Sequence, residues 1–143
     1  MMISTRGRYA LRVMIDLAEH QNGSFIPMKD VAERQGFSLK YIEKIMPVLS
    51  KHKMVEGQHG KGGGYRLTSD PREYRVLDIL KITEGNLAPM ACLEKNAKPC
   101  SRIGECRTIG MWRKFHELTL DLFANITIAD LMQKEELPDN YVI

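Results

Sequence analysis

A chain of 143 residues, 43% hydrophobic and 27% charged, has the size and composition of one globular domain with an appendage and is short for two independent domains. No apolar run reaches the roughly 18 residues of a membrane span, and residues 1–11 carry Arg6 and Arg8 without the apolar core of a secretory signal, so a cytoplasmic protein with no membrane partner is expected. The net charge of +3 is uneven, with eleven Lys and Arg against six Asp and Glu through residue 66 and ten against twelve beyond it; this suits a nucleic-acid-facing half, although an ordinary solvated surface would give the same count.

Ser4 can cap a first helix in which Ala10, Val13, Met14, Leu17 and Ala18 recur at helical spacing until residues 20–24 stop it. Pro27 opens a short second helix over residues 28–35, with Val31 and Ala32 inward and Gly36 as its exit. Ser38 caps a third over about residues 39–50, with Tyr41, Ile42, Ile45 and Leu49 as apolar positions. Pro47 cannot donate to the Glu43 carbonyl and should bend its last turn. Residues 54–58 and 65–68 read as two strands joined by the turn-rich run 59–64, a candidate wing. Val76, Leu77, Ile79, Leu80 and Ile82 predict another helix over residues 73–83, closed by Gly85 and packed under the wing.

Residues 87–104 lack clean periodicity, contain Pro89 and Pro99, and read as a loop; loops of that length are usually functional or mobile. Met111, Phe115, Leu118 and Leu122 then recur at steps of four, three and four beside Trp112, Phe123 and Ile126, which predicts a long helix with one strongly apolar side, ending near Asn125. Aromatic residues on such a stripe are usually dimer core, and Met111 belongs with them. Thr127 caps a last short helix to about residue 133, and residues 134–143 read as a frayed tail. The expected fold is mainly α with a small β-hairpin wing, a winged helix-turn-helix followed by a long C-terminal dimerisation helix. Its segments are residues 1–86 for DNA binding, 87–106 as a cysteine-containing sensor loop, 107–133 for dimerisation and the short last helix, and 134–143 as tail.

In a helix-turn-helix the second helix projects so that its N-terminal side chains reach base edges in the major groove. Those positions here are Ser38, Leu39, Lys40, Tyr41, Glu43 and Lys44. Lysine can contact phosphate or guanine, tyrosine can bond phosphate, and Glu43 can accept from a cytosine amino group while disfavouring a nearby phosphate, which tunes sequence choice more than affinity. At the wing, Gly62 and Gly63 let backbone approach the duplex while His59, Lys61 and Arg66 lie beside phosphates or the minor groove. Arg6 and Arg8 add backbone contacts at the start of the first helix. The glycine run lacks the G-x-x-x-x-G-K-[ST] pattern and precedes no helix, so it is no nucleotide-phosphate loop.

Cys92, Cys100 and Cys106 follow C-x7-C-x5-C. Three is an odd number for a disulfide framework, and the spacing differs from the short C-x-x-C pairs of many zinc sites. Thiolates suit iron-sulfur iron, zinc or copper(I), and a reactive-thiol sensor is a further reading. No nucleophile motif or paired carboxylates argue for an enzyme, and His20, His52, His59 and His116 are scattered.

The opening ISTRGRYALRVMIDLA, the helix-turn-helix VAERQGFSLKYIEKIM, the wing GKGGGYRL, the cysteine loop followed by Trp112, and the closing ANITIADLM occur in one order across residues 1–133. In these motifs the chain resembles the Rrf-type family of winged helix-turn-helix transcriptional regulators, which includes IscR, NsrR, RirA and CymR. The resemblance implies a homodimer crossed by a long helix over about residues 106–125, with an iron-sulfur cluster, 2Fe–2S or 4Fe–4S, held near each end by Cys92, Cys100 and Cys106. A fourth ligand does not carry over. Members resembling IscR have a histidine where this chain has Ile109, and members resembling NsrR an N-terminal aspartate where it has Arg8. Glu105, a partner-subunit residue, an exogenous thiol or water stay open, whereas His116 lies ten residues beyond Cys106, about 15 Å along a helix.

The function expected from these readings is a DNA-binding regulator, a repressor of a double-stranded operator, whose affinity responds to iron, redox state or nitric oxide through the cluster. The alternatives are a clusterless regulator controlled by thiol oxidation, zinc or a partner enzyme, and a redox or metal carrier that uses the winged helix only for contacts.

Overall fold

The computed structural model describes residues 2–133. Helix α1, Thr5–Glu19, begins where the Ser4 hydroxyl accepts from the Gly7 N–H at 3.2 Å. Its inward positions Ala10, Val13, Met14 and Leu17 are solvent-inaccessible. Ser4 is itself held from across the molecule: its hydroxyl donates to Glu84 Oε1 at 2.6 Å and its backbone N–H to the same oxygen at 3.1 Å.

Helix α2, Met28–Gln35, ends at Gly36, whose φ of 71° is left-handed. The chain reverses there at once because the Gly36 and Phe37 N–H groups both donate to the Ala32 carbonyl, at 2.9 and 3.2 Å. Helix α3, Leu39–Lys51, follows with Ser38 as its cap, and Pro47 sits inside it. Strands β1, Val55–Gln58, and β2, Gly64–Leu67, pair antiparallel, with Glu56 opposite Arg66 and Gly57 opposite Tyr65. Each strand is displaced by one residue from its expected span at one or both ends. Met54 and Thr68 fall just outside the strands: the Thr68 N–H reaches the Met54 carbonyl only at 3.4 Å, an oxygen that also accepts from the Thr68 and Tyr74 hydroxyls. The hairpin is extended on its other edge by Ile26, which exchanges backbone bonds of 2.8 and 2.9 Å with Tyr65.

Helix α4, Val76–Glu84, starts three residues later than its periodicity suggests. Asp70 caps a short 3-10 turn, Pro71–Glu73, and Arg75 is drawn into a bridge with Thr127. The expectation that α4 packs under the wing is also corrected: α4 lies chiefly against α1 and α5, and the wing is carried by α1 and α3. The link to the wing is the buried Tyr74, whose hydroxyl receives the N–H groups of Thr68 and Ser69 at 3.0 and 2.8 Å and donates to the Met54 carbonyl at 2.8 Å.

Helix α5, Ile109–Ala124, begins later than residue 106 because Cys106 has an extended backbone, and it stops at Asn125, whose side chain donates to the Asp121 carbonyl at 2.7 Å. The closing helix α6, Ile128–Leu131, carries a reciprocal cap between Thr127 and Asp130. It returns to the N-terminal core. The Val76 N–H donates to the Ile126 carbonyl and the Ile128 N–H to the Tyr74 carbonyl, both at 2.9 Å, and the fully buried Ile128 joins Ala10, Val13 and Leu17 in one apolar cluster. A second cluster of Val76, Leu77, Leu80 and Leu87 receives Leu120, Phe123 and Ala124 from α5. Among the described residues no helix is long and apolar enough to cross a membrane. The tail read at residues 134–143 lies outside the described residues.

Candidate nucleic-acid interface and cysteine loop

Helix α3 has two opposite faces. Ile42, Ile45, Met46 and Leu49 are buried at 0–1% exposure, while Lys40, Glu43, Lys44 and Pro47 follow one another along the solvent side. Ser38 and Leu39 are also exposed at its N-terminus, where the Ser38 hydroxyl accepts from the Tyr41 N–H at 3.2 Å. The polar side chains singled out in the sequence therefore stand on one surface of one helix. Tyr41 differs, being half-buried with its ring edge-on to Tyr9 at 5.3 Å.

The seating of α3 rests on a polar network that the periodicity does not announce. Asp16, 1% exposed on α1, accepts from Arg34 Nη2 at 2.6 Å and Nε at 3.1 Å and from Gln35 Nε2 at 2.8 Å. The carboxylate raises the Arg34 pKa, first through that hydrogen bond. Gln35 is gripped on its other side by Arg12, which donates to its side-chain oxygen at 3.2 Å and its backbone carbonyl at 2.6 Å. The Arg12 guanidinium stands 4.3 Å from the Phe37 ring centre, and Phe37 stacks on Tyr9 at 4.1 Å with 5° between planes. These contacts fix the turn between α2 and α3 against α1. The sequence signal that was available is Asp16 itself, a carboxylate next to apolar positions that face the core, which demands a cationic partner.

At the wing tip, residues 59–63 join the strands and His59 and Lys61 are exposed. Gly62 has a φ of 76°, and a Cβ on Gly63 would run into the Gln58 carbonyl, so both glycines are required by the turn. Arg66 is engaged within the protein: it pairs with Glu56 at 2.6 Å across the strands and lies 4.3 Å over the Phe25 ring. That leaves Lys61 and His59 as the outward groups of the expected wing set. Arg6 and Arg8 are exposed on α1, where Arg8 donates to the Thr5 hydroxyl at 3.1 Å.

The cysteine segment leaves α4 at Gly85 and enters α5 at Ile109 through two 3-10 turns, Ala91–Leu93 and Ile103–Glu105. Cys92 is half-buried in the first, and Cys100 and Cys106 are exposed on either side of the second. The latter two line a recess of about 230 Å³ with Arg102 and Glu105. The Cys106 sulfur lies 3.6 Å from the Thr108 hydroxyl, and hydrogen bonding from Thr108 holds the thiol below its ordinary pKa, with a smaller contribution from Arg102.

The three sulfurs were expected to surround one centre, and in kind they fit an iron-sulfur cluster, being three soft thiol donors on one segment. Their arrangement does not yet make a coordination sphere: among the described residues no three His, Cys, Asp or Glu side chains are grouped to hold a metal. Cys92 belongs to the first turn, where the Leu93 N–H donates to the Met90 carbonyl, while Cys100 and Cys106 flank the second, where the Ile103 N–H donates to the Cys100 carbonyl, both at 3.0 Å. Of the open fourth ligands, Glu105 shares the recess and stands 3.9 Å from Arg102, while His116 lines a different cavity, between α4 and α5.

On α5 the residues expected to dimerise divide between two environments. Met111, Phe115, Leu118 and Leu122 are 43–56% exposed, and Trp112 is half-buried with its ring edge-on to Phe115 at 6.2 Å. The apolar stripe is thus uncovered within the chain, while the opposite side of the helix seals the α4 cluster.

The family model described as Rrf2, iron-dependent transcriptional regulator, matches residues 3–134. The transcriptional regulator IscR of Sodalis glossinidius is 32% identical over 97% of this chain and 83% of its own length. Protein rrf2 of Nitratidesulfovibrio vulgaris is 34% identical over 96% and 91%. Among solved structures, CymR, the global cysteine regulator of B. subtilis, superposes with a TM-score of 0.75 at 28% identity, covering 92% of this chain and 96% of that one. IscR of T. potens does so with a TM-score of 0.70 at 31% identity, covering 92% and 86%.

Proposed function

Because the chain belongs to the Rrf2 family of transcriptional regulators, and is a DNA-binding regulator of transcription and not an enzyme, we propose that it binds its operator as a homodimer and that the cysteine segment sets its affinity. The observation that carries the DNA-reading part is α3: Lys40, Glu43 and Lys44 are exposed on one face while the other is wholly buried. A helix so anchored presents its outer side chains at fixed positions, as major-groove readout requires. Lys61 and His59 at the wing tip and Arg6 and Arg8 at the start of α1 supply contacts to the backbone or minor groove.

Dimerisation uses the α5 stripe of Met111, Trp112, Phe115, Leu118 and Leu122. A two-fold pair engages two half-sites separated by one helical turn, about 34–36 Å, or a multiple of it. The segment from residue 86 to residue 108 joins α4, packed on the DNA-reading core, to α5. A rearrangement of that segment therefore changes the relation between the two recognition helices, and with it the match to the half-site spacing.

Cys92, Cys100 and Cys106 are the ligands we assign to an iron-sulfur cluster, supported by the IscR relatives at about a third identity and by the three thiols on one segment. When bound, such a cluster supplies iron that responds to redox state, iron supply and nitric oxide. A second reading has the thiols themselves as the sensor, without a cluster. It is favoured by the shared recess of Cys100 and Cys106, apart from Cys92, and by the likeness to CymR.

Anaerobic purification with iron and sulfide assay and absorption spectra separates the two. Stoichiometric iron and sulfide that is lost in Cys92→Ser supports the cluster; a colourless protein with intact operator binding leaves the thiol reading. The DNA reading is tested by the salt dependence of operator affinity, in which each neutralised phosphate contributes a slope of about −0.9. A flat dependence rejects it.

A further inference from the structure

Between α4, the start of the cysteine segment and α5 lies a cavity of about 410 Å³, within the roughly 300–1,000 Å³ range of small-molecule sites. Three observations converge on it. Lys81 and Lys95 line it from two different elements, and among the described residues neither has a carboxylate oxygen within 4.0 Å. His116 lines it from α5, and its Nδ1 is buried with no hydrogen-bond partner among the described residues. The remaining wall includes Leu87, Leu93 and Leu120.

A buried ring nitrogen without a partner has given up its bond to water and gained none in return, so it favours any ligand that supplies the missing bond. In the Nδ1–H tautomer His116 is a donor. Two ammonium groups on the same cavity exclude a cation and favour an anionic acceptor, and the leucine wall favours an attached hydrocarbon over a bare inorganic anion.

We propose that this cavity binds a small organic carboxylate, whose head group is met by Lys81, Lys95 and His116 Nδ1 and whose alkyl part rests on Leu87, Leu93 and Leu120. The site is distinct from the recess of Cys100 and Cys106. It touches the turn that carries Cys92, because Leu93 belongs to the same 3-10 turn. A bound acid joins three elements at once: α4, the cysteine segment and α5. The inference goes beyond the cluster reading and stands with either form of the sensor.

The test uses the full-length protein as isolated, titrated with 4-methylpentanoate and with its neutral isostere 4-methylpentanamide, and followed by calorimetry and amide chemical shifts. Saturable binding of the acid is expected, with shifts at Lys81, Leu87, Leu93 and Leu120. The amide should bind at least about tenfold more weakly, a difference of about 1.4 kcal/mol. Replacing both exposed lysines, Lys81→Gln with Lys95→Gln, should weaken the acid by about tenfold or more while leaving the amide unaffected. Absence of saturation, equal binding of acid and amide, or shifts confined to other elements would overturn the site. The acid–amide comparison in the unaltered chain decides the matter even if the double variant folds poorly.

Discussion

Arg34 on α2 holds Asp16 on α1 through two nitrogens, with Nη2 2.6 Å from Oδ1 and Nε 3.1 Å from Oδ2. The carboxylate is 1% exposed while the arginine side chain retains 33%, so the acid depends on the pair far more than the base does. Breaking a fully buried pair costs about 3–5 kcal/mol, and the solvent access of Arg34 reduces this to about 2 kcal/mol here. Arg34→Met should therefore lower the urea midpoint with an unchanged slope. Operator affinity should fall as well, because Gln35 and the Gly36 turn lose their anchor on α1. A midpoint equal to that of the unaltered protein would show that the network is ornamental.

The wing glycines are not equivalent. A Cβ on Gly64 would collide with the Ile26 carbonyl, at a φ of 149°, whereas one on Gly60, at a φ of 86°, meets nothing within 4 Å. Gly60→Ala should cost only the left-handed backbone penalty, about 1–2 kcal/mol. Gly64→Ala should cost more and break the Ile26–Tyr65 bridge, which hydrogen exchange at the Ile26 and Tyr65 amides would report. Similar protection in both variants would contradict this difference.

Lys40 and Lys44 flank Glu43 on the open face of α3. If both lysines meet phosphates, Lys40→Ala and Lys44→Ala each reduce the salt slope of operator binding by about one. Glu43→Ala is expected to act differently, relaxing preference at the base pair it reads by about 1–3 kcal/mol without a lower slope. Binding to a randomised operator library measures both effects, and a uniform loss across all sequences for Glu43→Ala would assign that residue to positioning only.

What could be read from the sequence depended on how local each cause is. The caps at Ser4, Ser38 and Thr127 act within three residues, and the helices they open begin where expected. The stripe on α5 follows helical spacing and was equally legible. Tyr74 was absorbed into a predicted helix because its role is to bond Met54, twenty residues away, and that bond displaces the start of α4. Asp16 and Arg34 are eighteen residues apart on different helices, so no periodicity links them. The cysteine spacing singled out three thiols but not their arrangement, which depends on two 3-10 turns that apolar periodicity does not encode.

The α5 stripe makes the remaining prediction. Leu118 and Leu122 are each 56% exposed in the protomer, so a charge there leaves the protomer core intact but must be desolvated, at a cost of several kcal/mol, if a second copy covers it. Leu118→Glu with Leu122→Glu should therefore convert the protein to a monomer in sedimentation. Hydrogen-exchange protection of Ile42, Ile45 and Ile79 should persist, since these residues belong to the separate N-terminal core. Operator affinity should drop steeply, because joining two half-site readers increases avidity by about 10²–10⁴ and a monomer forfeits that gain. A variant that sediments as a dimer would remove α5 from the interface, and a monomer that keeps full operator affinity would remove the two-fold pair from the reading of DNA.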